Sequence, residues 1–139
     1  MSGRRWGYRC WISVLFSLTA LLWLAGCGGT PQPTHLRESV GTVVATLTLD
    51  PDPPVPMDDT TLELRLADDG QPVVGATVAL TLTMPGCPMA PSFPALQDEG
   101  NGLYQVQTVL TMAGAWRADA RVALPGGQEM PFTFFFATR

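Results

Sequence analysis

At 139 residues, 46% hydrophobic and only 14% charged, the chain holds one compact domain at most and is sparse in charge beside the roughly 25% of an average soluble domain. It has no lysine, and the first 26 residues hold Arg4, Arg5 and Arg9 together with Trp6, Trp11 and Trp23. From Cys27 onward five arginines face twelve acidic side chains, a formal charge of −7, which excludes the basic stripe that nucleic-acid binding needs and electrostatic attachment to anionic lipid.

Residues 1–26 read as an export signal. The three arginines precede an uncharged run from Cys10 to Gly29 with a strongly apolar centre over Trp11 to Leu18, the charged and apolar regions of a signal peptide. Its positive end stays inside. About twenty uncharged residues are also long enough to span a bilayer as an uncleaved anchor. The run ends in Leu24-Ala25-Gly26-Cys27, which resembles the lipobox of bacterial lipoproteins, where small residues precede a cysteine that takes diacylglycerol on its sulfur. The resemblance implies that Cys27 becomes the N-terminus and the lipid anchor. Two or three acyl chains hold a protein durably where one does not. The expected location is outside the cytoplasm, tethered to the cell membrane or the outer membrane.

With Cys10 in the signal and Cys27 lipidated, Cys87 is the one remaining thiol, so the mature chain has no internal disulfide. A lone thiol in an oxidising compartment is buried as a small hydrophobe, paired with another chain, or held for a metal. Residues 27–40 mix Gly28, Gly29, Pro31 and Pro33 with polar groups and show no periodicity; they read as a flexible, lipid-anchored tether. The domain is then residues 41–139.

Within it the pattern has period two. Val43, Ala45, Leu47 and Leu49 share one face, as do Leu62, Leu64 and Leu66. The alternation continues through Val78 to Met84, Tyr104 to Met112, Trp116 to Leu124, and Phe132 to Phe136, which predicts half-buried strands. Turn residues separate them: the prolines between Asp50 and Asp59, then Asp69-Gly70, Asn101-Gly102 and Pro125-Gly126-Gly127. No helical period follows the signal. Six or seven strands at this spacing predict an all-β, immunoglobulin-like antiparallel β-sandwich with Trp116 as core anchor and Phe135 facing outward.

Enzyme chemistry finds few residues to work with. Beyond Cys27 there are two serines, Ser39 and Ser92, and one histidine, His35, expected in the tether, so a nucleophile with an oriented base cannot be assembled. No glycine-rich turn leads into a helix for a nucleotide, and no Cys/His spacing fits zinc. The carboxylate pairs Asp58-Asp59, Asp68-Asp69 and Asp98-Glu99 lie in turns, where such pairs are usually solvated; calcium would need oxygen ligands converging from several loops. The cluster Met84-Pro85-Gly86-Cys87-Pro88-Met89 is more distinctive. It sets three sulfur side chains in a proline-stiffened loop, and thiolate with thioether is the soft donor set that selects Cu(I). Met112 would complete such a site and Trp116 would shield it. The competing reading is packing, since Met84 and Met112 fall on the inward phase of their strands.

Four segments then resemble one family. Gln71-Pro72-Val73-Val74-Gly75-Ala76, Met84-Pro85-Gly86, Gly102-Leu103-Tyr104 and Met112-Ala113-Gly114-Ala115-Trp116 are similar, in order and spacing, to the motifs of the YtkA-like domain, over about residues 41–139. That family comprises small exported or lipid-anchored immunoglobulin-like domains related to the FixH type. The resemblance implies a binding domain that supplies copper or another cation to a membrane complex, with Cys87 and Met89 standing where relatives often carry Met or His. The CopC type of copper carrier is similar only in fold class: it needs a free terminal amine and histidines for Cu(II). The leading reading is thus a non-enzymatic envelope lipoprotein, with Cu(I) at Met84, Cys87, Met89 and Met112 and an envelope protein as partner. The alternative is a structural or protein-interaction module without metal.

Overall fold

A computed structural model describes residues 35–139. The expected signal, the lipidation site Cys27 and most of the expected tether lie outside those residues.

Nine strands form two antiparallel sheets, and no helix occurs among the described residues. They are β1 (Leu36–Val40), β2 (Val43–Asp50), β3 (Asp59–Asp68), β4 (Gln71–Pro72), β5 (Thr77–Thr83), β6 (Gln97–Gly100), β7 (Leu103–Val109), β8 (Gly114–Ala123) and β9 (Glu129–Thr138). One sheet runs β1-β2-β3-β7-β6, with β4 also on β3; the other runs β5-β8-β9. The predicted sandwich is the observed one, with more strands than six or seven. The additional strands are β1, β4 and β6, all short and peripheral, where backbone pairing rather than burial makes the strand. Among β1 side chains, Leu36 alone is half-buried and the rest are exposed, so hydrophobic alternation cannot reveal it.

This corrects the tether. Leu36–Val40 is paired residue by residue with β2, from Leu36 opposite Leu47 to Val40 opposite Val43, and the folded domain begins before residue 41. Hairpin turns follow the residues that suit them. Asp69 (φ 47) and Gly70 (φ 80) join β3 to β4, and Asn101 (φ 53) and Gly102 (φ 73) join β6 to β7. Two successive positive φ values match the twist of the flanking strands, and Asp-Gly and Asn-Gly adopt them most readily.

The inward residues of both sheets make a single core. Val43, Ala45, Leu47 and Leu49 of β2 and Leu62, Leu64 and Leu66 of β3 are at most 1% exposed, each contributing about 1.5–3 kcal/mol of burial for Val and Leu. Across the gap, Ala118 and Ala120 of β8 stand opposite Phe134 and Phe132 of β9, so small residues make room for the rings. Trp116, 2% exposed, is the largest buried side chain, as expected. Thr60 is the exception, fully buried with an Oγ1 that has no hydrogen-bond partner.

Candidate functional site

The sulfur cluster follows the last residue of β5. Leu82 and Ser92 exchange both backbone hydrogen bonds, at 2.8 and 3.0 Å, so residues 83–91 form a closed excursion from the strand edge. Inside it, the Cys87 N–H donates to the Met84 carbonyl at 3.1 Å, with Pro85 and Gly86 (φ 83) in the two positions a type II turn requires. The Met89 N–H then donates to the Cys87 carbonyl at 2.8 Å across Pro88, a three-residue turn whose centre suits proline's fixed φ. Two consecutive turns therefore carry Met84, Cys87 and Met89 on one short length of chain. All three are half-buried, and Met84 and Met89 pack against the core.

The neighbouring connection from β7 to β8 brings in the fourth sulfur. A Cβ on Gly114 (φ 129) would stand 2.8 Å from the Met84 methyl, so the loop abuts this connection two residues from Met112. The Met112 carbonyl accepts from Trp116 Nε1 at 3.1 Å and from Thr138 Oγ1 at 2.9 Å, and Thr138 Oγ1 accepts from the Gly114 N–H at 2.9 Å. Core side chains thus hold the backbone of this corner. The Met112 side chain is 42% exposed. This corrects its inward phase: β7 stops at Val109, and the alternation carries on only as far as the buried Leu110 before it breaks.

Sequence reasoning missed Met57 at the same end. It has a φ of 64 and is 73% exposed, and its N–H donates to the Leu110 carbonyl at 2.8 Å, docking the β2–β3 loop onto the β7–β8 connection. Nothing local announces it, because the contact is between loops distant in sequence. His35 lies elsewhere, with Nδ1 3.0 Å from Thr48 Oγ1 beside β2. Among the described residues no three of His, Cys, Asp and Glu gather as a metal set. The acidic pairs act locally: Asp58 accepts from the Asp59 N–H and Asp98 from the Gly100 N–H.

The opposite end of the sandwich is built around Tyr104, 2% exposed. Its hydroxyl accepts from the Ala76 N–H at 3.0 Å and donates to the Val73 carbonyl at 3.2 Å. Burial pushes the phenol above its ordinary range, the Ala76 N–H opposes this, and Asp98 adds to it. Gly102 sits beneath: a Cβ there would meet the Leu66 carbonyl oxygen at 2.5 Å and Pro72 Cβ and Val73 N at 3.1 Å.

A family model for YtkA-like proteins matches residues 38–120, more than half of the chain. The chain belongs to the YtkA-like family. In this YtkA-like domain the four motif segments pair off by end: the segment through Val73 and Ala76 locks onto Gly102-Leu103-Tyr104, while Met84-Pro85-Gly86 abuts Met112-Ala113-Gly114-Ala115-Trp116. The matched region starts within β1 and ends within β8, leaving β9 outside it. A crystal structure of a DUF4426 family protein from Pseudomonas aeruginosa has the same fold, with a TM-score of 0.54 and 13% identity over 73% of this chain and 94% of that one. No curated protein matches the chain.

Proposed function

We propose that this YtkA-like domain is a non-enzymatic binding module of the cell envelope, lipid-anchored at Cys27, that holds Cu(I) as accessory to a membrane complex. The ligands would be Met84, Cys87 and Met89, with Met112 from the adjoining connection. The observation that carries the reading is the pair of consecutive turns that confine three sulfur residues to one pinned loop. A thiolate and thioethers suit a soft monovalent ion, and a donor set without histidine fits Cu(I) better than Cu(II). Binding and release, not turnover, is the activity proposed.

The test is an anaerobic titration of the reduced chain with Cu(I) against a competing chelator. The comparison protein combines Met84→Leu, Cys87→Ser and Met89→Leu. One-to-one binding that the triple variant loses supports the reading. Absence of binding, or equal binding by both proteins, ends it and leaves the sulfur side chains to packing.

A further inference from the structure

The outer face of the three-stranded sheet is organised in rows. Thr77, Ala123 and Glu129 lie in the first, Ala79, Arg121 and Pro131 in the second, Thr81, Asp119 and Thr133 in the third, and Thr83, Arg117 and Phe135 in the fourth. Phe93, just past the Leu82–Ser92 pair, joins Ala79, Arg117, Arg121 and Pro131 in lining an open groove of about 650 Å³ over these rows.

The charges on this face are unequally used. Arg117 Nε and Nη2 both lie 2.8 Å from Asp119 Oδ2, and the Thr133 hydroxyl donates to Asp119 Oδ1 at 2.8 Å. Asp119 is saturated and neutralises Arg117. Among the described residues Arg121 makes no ion pair or side-chain hydrogen bond: its row neighbours Ala79 and Pro131 offer no side-chain acceptor, and the Glu129 carboxylate one row away on β9 is not paired with it, so its guanidinium donors remain for a group from outside. Across β5, lining the same groove, Phe93 is 72% exposed, and Phe135 on the same face is 64% exposed. Arginine with aromatic side chains is the composition enriched at interface centres. The described surface beyond Arg121 and the Arg117–Asp119 pair is hostile to anions, with Arg37, Arg65 and Arg139 set against eleven acidic residues, Glu129 at the end of this face among them.

We propose that this face docks an extended acidic segment of a partner protein, placing a carboxylate on Arg121 and an apolar side chain against Phe93. Size argues for a segment rather than a second copy. Three strands about 4.8 Å apart and seven residues at about 3.4 Å each give roughly 340 Å², well under the about 800 Å² per partner of a stable interface. A guanidinium–carboxylate pair supplies direction and specificity, and the acidic remainder of the domain repels the segment from other faces.

The probe is a fluorescein-labelled heptapeptide, Gly-Ser-Glu-Phe-Glu-Ser-Gly, titrated against the full chain in nonionic detergent and followed by anisotropy. Saturable binding is expected, weakened about tenfold by Arg121→Gln, by Phe93→Ser, or by Gln in place of both glutamates of the peptide. Arg65→Gln, an exposed arginine of the other sheet, is expected to leave it unchanged. Absence of saturable binding, full binding by Arg121→Gln, or equal loss in Arg65→Gln overturns the proposal. A dimer in sedimentation that dissociates on Arg121→Gln also overturns it, because a second copy then covers the face. The substituted positions are exposed, and the far-ultraviolet spectrum of each variant checks its fold independently.

Discussion

Gly70 and Gly102 each take the second position of a two-residue hairpin turn with nearly the same backbone, φ 80 and φ 73, yet alanine at the two sites should cost very different amounts. At Gly70 a Cβ meets nothing within 4 Å, so Gly70→Ala carries only the left-handed penalty of about 1–2 kcal/mol. At Gly102 the Cβ lands 2.5 Å from the Leu66 carbonyl oxygen and 3.1 Å from Val73 N. Those two atoms bond each other at 3.0 Å, and the Leu66 N–H donates to the Gly102 carbonyl at 2.8 Å. Backbone must move, so the same penalty is joined by damage to two hydrogen bonds at about 0.5–1.5 kcal/mol each. The total for Gly102→Ala is about 2–5 kcal/mol, centred near 3.5. With a urea dependence of about 1.5 kcal/mol per molar, the midpoint falls by roughly 1.3–3.3 M for Gly102→Ala and by about 1 M for Gly70→Ala. Urea unfolding followed by Trp116 fluorescence measures both. Equal midpoints would refute the reasoning, because they would mean that conformation alone, and not the approach of β3 and the Pro72–Val73 segment, demands glycine.

Two further outcomes follow from buried polar groups. Thr60→Val removes a hydroxyl that is buried without a partner while keeping the shape, and is expected to raise stability by about 1–2 kcal/mol; a lower thermal midpoint would show that the hydroxyl is satisfied. Tyr104 has its folded-state ionisation raised above 10.0, so its neutral form is favoured by folding. Its contribution is fully present below that value and is lost as pH rises through the folded-state value. Tyr104→Phe is expected to lower stability near neutral pH by roughly 1–3 kcal/mol, since the Ala76 N–H loses its acceptor. The variant should also flatten the alkaline decline seen in thermal midpoints; an unchanged alkaline slope would assign that decline to other groups.

The sequence made the central strands legible because each buries a continuous series of alternate residues, and Leu62, Leu64 and Leu66 or Ala118, Ala120 and Val122 leave little choice of face. It did not reveal β1, where Leu36 is the one side chain turned toward the core and the pairing is made by backbone. Periodicity was carried too far at Met112, where β7 has already ended and the Trp116 indole and Thr138 hydroxyl hold the chain from across the core. The four motif segments were visible as separate pieces, but that they join in two pairs, one at Tyr104 and one at Gly114, is a matter of tertiary contact. Met57 and Arg121 escaped for the same reason: one is placed by a contact between loops, and the other is distinguished by what its cross-strand neighbours lack.

The double hydrogen bond between Leu82 and Ser92 makes residues 83–91 a replaceable insert. Closing a loop costs only about 0.6 kcal/mol more for each doubling of its length, and here the closing pair sits just inside the last rung of the β5–β8 ladder, Thr83 opposite Arg117. Segments of other length and composition can be spliced between those two residues while Val78, Leu80 and Leu82 keep their partners. The sandwich is in this sense a holder with a single socket, and the Met84-to-Met89 segment is one cartridge that fits it.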